Sequence, residues 1–196
     1  MSNNKYVTLY PLGLTRGLTH RESYILLMRD AESGRTLPLL LNTTDFKKIH
    51  DLISSDGLKT SPHLSSIICD LFQIEIDVVI ISTEGAGKYT THIVARQGGD
   101  VRETEADLST GLYAAMTSGA QIEMLRTLFD ALTRHGGIEE GGKVAIPIVA
   151  LTDELLGEAL QSAIENDNYE LAAVISNECN KRKQEREKNH PEEQNS

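Results

Sequence analysis

Along this chain the spacing of hydrophobic residues changes period several times, and each change marks a new element. "YVTLYPLGL", "ESYILLMRD" and "TLPLLL" are short apolar-rich runs, the last two separated by the polar turn "AESGR". They predict a meander of three strands with at least one covered face. "TTDFKKIHDLISS" then places Phe46, Ile49, Leu52 and Ile53 at helical spacing behind Thr43 or Thr44 as N-cap, and "SPHLSSIICDLF" repeats the pattern after Pro62. "EIDVVIIS", "YTTHIVAR" and "VRETEAD" predict three more strands, joined at "TEGAGK" and "QGGD" by glycine-containing hairpin turns. A helix opens at Ser109 in "EADLSTGLYAAMTSGA", turning Leu112, Ala115 and Met116 to the core, and "AQIEMLRTLFDALTRH" reads as a further helix.

Periodicity lapses at "GGIEEGG" and resumes beyond "KVAIPIVAL". There Leu155, Leu156, Ala159, Leu160, Ala163 and Ile164 form one helical stripe. Ala172, Ala173, Ile175 and Ser176 belong to a second, and "ENDN" separates the two. The predicted organisation is an α+β domain over 1–135, a Gly-rich linker and extended segment over 136–151, a helical hairpin over 152–187 and a disordered tail over 188–196. The fold class is α+β: a mixed, largely antiparallel sheet with packed helices, followed by the hairpin.

Composition narrows the function classes. The 196 residues are 39% hydrophobic, enough for one sizeable core. A net charge of −10 argues against general affinity for polyanions, which relies on Lys and Arg displacing counterions. No long uncharged apolar run and no basic-then-apolar N-terminus is present, so the expectation is a cytoplasmic protein without a membrane anchor. Cys69 and Cys179 lie far apart in apolar helical patterns and predict reduced, at least half-buried thiols. "STEGAGKY" has Ser82 and Tyr89 where a phosphate-binding loop needs Gly and Ser or Thr, so it predicts a turn. The six histidines show no HxH or HxxxH pairing.

Three motifs carry a resemblance. "GRTLPLLLNTTDFKKI", "LKTSPHLSSIICDLF" and "EADLSTGLYAAMTSGAQI" are similar, in order and spacing, to the motifs of the bifunctional nuclease (BFN) domain. The resemblance runs from about Tyr6 to Met124. It implies an α+β fold and Mg²⁺- or Mn²⁺-dependent cleavage of DNA or RNA. Matched position by position, the family glutamate falls on Asp45, its histidine on His63 and its serine on Ser109. Asp107 and Thr110 stand where the family has Arg and Asp. The resemblance thus implies a site near Asp45, His63, Asp107 and Ser109, with Asp45 and Asp107 as metal ligands. Asp107 in place of a cation works against phosphate binding, since a unit charge pair at 4 Å is worth about 4 kcal/mol at an effective dielectric near 20. The competing reading makes Asp107 or Ser109 a helix cap and Asp45 a first-turn charge complementing the helix dipole.

"LQSAIENDNYELAAVISNEC" resembles the UVR motif, the helical hairpin of UvrB- and UvrC-type proteins. That implies association with another copy or a protein partner through 152–187. Two functions therefore compete: a metal-dependent nuclease, and a non-catalytic regulatory protein that uses the hairpin for partners.

Overall fold

The computed structural model describes residues 5–16, 24–54, 64–85, 87–134, 137–138 and 144–189. The fold is α+β. Strands β1 (Tyr6–Arg16), β2 (Tyr24–Asp30) and β3 (Thr36–Leu41) form the expected meander. Pleating puts Leu26 opposite Leu39 and Met28 opposite Leu37 on one face, and all four are fully buried. Helix α1 (Thr43–Ser54) lies over that face, with Phe46 stacked on Tyr24 at 3.7 Å between ring centroids and Ile49 and Leu52 buried. Helix α2 (Leu64–Phe72) comes next and buries none of its residues.

The second half begins with β4 (Ile74–Gly85), β5 (Lys88–Gln97) and β6 (Asp100–Asp107), all antiparallel. Helix α3 (Leu108–Ser118) buries Leu108, Leu112 and Ala115 against the sheet, while Met116 stays half-buried. Gly119, in the left-handed region at φ 76°, ends the helix by donating its N–H to the Ala115 carbonyl at 2.9 Å.

The segment "AQIEMLRTLFDALTRH" is not the single helix that its spacing predicts. Gln121–Leu125 is strand β7, and only Arg126–Thr133 is helix, α4. The seven-stranded sheet runs β3-β2-β1-β7-β4-β5-β6. β7 pairs antiparallel with β1 and parallel with β4, so five residues join the meander to the second half. Ile122 and Met124 are buried on the core face while Glu123 between them is not, a period of two. The helical spacing of Leu128, Phe129 and Leu132 just downstream masked so short an alternation.

Within the expected linker, Gly137–Ile138 pairs with Val144–Ala145 as strands β8 and β9. The extended segment then packs on the body: Ile146 lies against the main core, and Ala150, in a 3-10 turn over Ile148–Ala150, is fully buried in it. Gly87, at the β4–β5 turn, sits so close beneath that a Cβ there would lie 2.5 Å from the Ala150 carbonyl oxygen.

Helices α5 (Asp153–Glu165) and α6 (Tyr169–Asn189) form the hairpin. Thr152 caps α5, and the reversal places Asp167 at φ 54°. Leu156, Ala163, Ala172 and Ile175 form a small core of their own. Ala173 and Ile164, expected inside, are exposed. α6 extends through Asn189, past the expected start of a disordered tail at 188, and 190–196 lie outside the described residues. No described helix is long and apolar enough to cross a membrane. Both cysteines are free and half-buried.

Candidate functional site

β6 ends and α3 begins at one residue, Asp107. Its backbone is extended, at φ −63° and ψ 159°, and its side chain turns back onto the first helical turn. Oδ1 accepts from the Thr110 N–H at 2.7 Å and from the Ser109 hydroxyl at 2.6 Å, while Oδ2 accepts from the Thr110 hydroxyl at 2.8 Å. Across from α1, Lys48 Nζ donates to Ser109 Oγ at 3.2 Å. Burial by itself would raise the Asp107 pKa. The bonds from Ser109 and Thr110, with the Lys48 charge, outweigh it and hold the carboxyl at about 2. Ser109 is only 1% exposed, with its proton directed at Asp107.

Asp45 sits in the first turn of α1, one turn before Lys48. Its N–H donates to Asn42 Oδ1 at 2.8 Å, and its Oδ2 accepts from Asn42 Nδ2 at 2.7 Å. Asn42, whose carbonyl also accepts from the Phe46 N–H, is therefore the N-cap, one residue ahead of the expected Thr43 or Thr44. His63 lies outside the described residues. Of the four expected site residues, the structure thus joins Asp107 to Ser109 directly and engages Asp45 with Asn42.

This arrangement has a definite chemical capacity. A divalent cation such as Mg²⁺ needs free carboxylate oxygens converging on one point. Here Asp107 has both oxygens engaged by its own helix, and an ammonium group, Lys48, stands at the corner. Among the described residues no three His, Cys, Asp or Glu side chains gather in a way that would hold a metal ion. The described residues at this corner do not make a ligand set for Mg²⁺ or Mn²⁺. They make a charged helix cap, bonded through both carboxylate oxygens, with its serine shielded from solvent.

Two polar residues of consequence carried no motif. Lys48 is one of two adjacent lysines in "FKKI", and nothing in the sequence shows that it reaches α3. Arg182 is only 7% exposed. It donates to Glu178, to Asp153 and to the carbonyls of Ile148, Val149 and Leu151, at 2.8 to 3.4 Å. A signal for it did exist: Ala172, Ile175, Cys179 and Arg182 lie at helical spacing, so the arginine continues the hairpin's inner stripe.

No protein-family model matches the chain, and a search of curated proteins finds no match to it. The likeness to BFN domains and UVR hairpins therefore rests on the quoted motifs alone.

Proposed function

We propose that this protein is a non-catalytic interaction protein of the cytoplasm: a frame resembling a bifunctional nuclease, with a partner-binding, UVR-like hairpin attached. One observation carries the reading. Asp107, at the position where the resemblance would put a phosphate-binding arginine, spends both carboxylate oxygens on capping α3. An aspartate in that place repels a phosphate, and the bonds it makes to its own helix compete with a metal for its oxygens. The acidic balance of the whole chain points the same way. The hairpin supplies the binding surface, with Ile164, Tyr169, Leu171 and Val174 exposed on it.

The second reading, a Mg²⁺- or Mn²⁺-dependent nuclease using Asp45, His63, Asp107 and Ser109, has one observation in its favour. Lys48 and the N-terminus of α3 together place positive charge at the corner. The test is hydrolysis of single- and double-stranded DNA and RNA with either metal, by the full chain and by Asp45→Ala and Asp107→Ala variants. The interaction reading expects no cleavage above background. It also expects Leu171→Asp with Val174→Asp to remove the partner proteins that the full chain retains from a bacterial lysate. Metal-dependent cleavage lost in both aspartate variants would establish the nuclease instead.

A further inference from the structure

The two edges of the seven-stranded sheet are finished differently. At one edge, Pro38 removes a backbone donor from β3, and strand β8 lies against it. At the other, β6 pairs with β5 in unbroken register over its 8 residues, and no described strand pairs with its outer side. Every second residue of such an edge turns its N–H and C=O away from the neighbouring strand, so β6 presents an open ladder. It has no proline, no lysine and no bulge to close that ladder.

Charge is the one selective feature of this edge, and on one face of the sheet it has a single sign. Directly opposed residues share a face, so Glu105 stands beside His92 and Glu103 beside Val94, both glutamates exposed. His92 Nδ1 meets Glu103 Oε1 at 2.7 Å, so the inner neighbour already answers one of the two. Glu105 has no ion pair among the described residues. The other face of β6 is mixed, with Asp100 and Arg102 followed by Thr104 and Ala106.

We propose that β6 is a docking edge for an extended basic segment of another protein, which adds to the sheet as a further antiparallel strand with Lys or Arg opposite Glu103 and Glu105. Charge complementarity selects this occupant, since cross-strand pairs of opposite sign stabilise and like charges directly opposed destabilise. A second copy is excluded by the register. Two β6 strands related by a two-fold axis normal to the sheet must be centred on one residue, and every register that overlaps more than half the strand sets like charges opposite each other. Centred on Arg102, Glu103 or Glu105, that residue meets itself; centred on Thr104, Glu103 meets Glu105. In the proposed complex the backbone ladder supplies affinity, and the alternate cations supply specificity.

The experiment is an NMR titration of the isotope-labelled full chain with a capped peptide in which lysine alternates with valine and threonine. The largest amide shifts are expected along β6. Glu103→Lys with Glu105→Lys should weaken binding at least about 10-fold, and N-methylation of the peptide backbone should abolish it. Glu105→Lys alone, at a residue without an ion pair, should weaken binding about 3-fold, which keeps the test open if the double variant melts early. Leu171→Asp with Val174→Asp should leave the affinity unchanged, so the result is independent of the hairpin's proposed role. No binding up to about 1 mM peptide overturns the proposal. So do shifts centred on the acidic helix α5, an affinity that Glu105→Lys leaves unaltered, or equal binding of the N-methylated peptide, which would mean attraction by charge without strand pairing.

Discussion

Asp107 shows what one residue contributes at the junction of two elements. Its carboxylate takes the first-turn donors that α3 would otherwise leave unpaired, and Asp107→Ala should cost about 1 kcal/mol of stability in a urea titration. The acid dependence comes from linkage. The carboxyl titrates at about 2 in the folded chain against 3.8 as an unperturbed group. A depressed pKa means that the folded state holds the proton less tightly. The stabilisation is therefore complete above about pH 4 and disappears as pH falls through 2. Asp107 lies at the surface, so solvent screens the amplitude. Asp30, at the β2–β3 turn, is also lowered. Burial raises its pKa, but Ser33, the Glu32 and Ser33 amides and Arg126 outweigh that effect. The difference between wild type and Asp107→Asn isolates the Asp107 share: the variant should lose less stability between about pH 4 and pH 2. Equal losses would show that the carboxylate charge contributes nothing to the cap. As a cap, Asp107 was legible in the sequence, because a short acceptor before an apolar helical run is a local signal. Lys48 above Ser109 was not, because 61 positions separate the two in the chain.

At the scale of elements, close approach decides where α3 sits. A Cβ on Gly111 would lie 2.1 Å from Thr91 Oγ1 and 2.5 Å from Thr91 Cβ. Thr91 cannot easily yield. It is fully buried in β5, and its hydroxyl donates to the carbonyls of Ala106 and Asp107 at 3.2 and 3.1 Å. Gly111→Ala should therefore destabilise the fold by about 1 to 3 kcal/mol, although alanine favours helix more than glycine does. A higher melting temperature for the variant would show that α3 and β5 are not packed this closely. β7 shows where periodicity was insufficient as a guide. Its five residues alternate correctly, but strand and helix patterns are hard to separate over so short a run, and the neighbouring helix supplies the stronger period. Becoming a strand depends on β1 and β4 being positioned to accept its backbone bonds.

For the whole molecule, the central relation is between the hairpin and the body. Arg182 binds the carbonyls of the 3-10 turn that leads into α5, pairs with Asp153 and Glu178, and acts electrostatically on Tyr89 of β5. Burial pushes the Tyr89 phenol up, and the nearby guanidinium offsets only part of that. Arg186 adds a second pairing to Asp153. Removing Arg182 leaves Glu178 without its buried partner and takes the guanidinium donors from the Val149 and Leu151 carbonyls, the Ile148 carbonyl keeping the Leu151 N–H, so Arg182→Ala should cost about 3 kcal/mol. Arg182→Lys should recover little, since one ammonium cannot span the same acceptors as a planar fork. Limited proteolysis gives the readout: cleavage near 148–153 should accelerate in both variants while the seven-stranded sheet remains intact. Unchanged cleavage would mean that Leu156 and Ile175 hold the hairpin without the arginine's help.

Six of the seven sheet strands, α1 to α3 and the hairpin are determined by the order of residues, because turn chemistry, caps and hydrophobic period act over a few residues at a time. The same local rules place Asp107 at the head of α3 and Asn42 within one residue of the expected cap. Contacts between distant segments settled the remainder. They insert β7 into the centre of the sheet, bring Lys48 over Ser109, fold Arg182 back onto the turn at Ile148 and leave the stripe of α2 without a core to face. These depend on loop closure and on the shape of the assembled sheet, and no window of about a dozen residues encodes them.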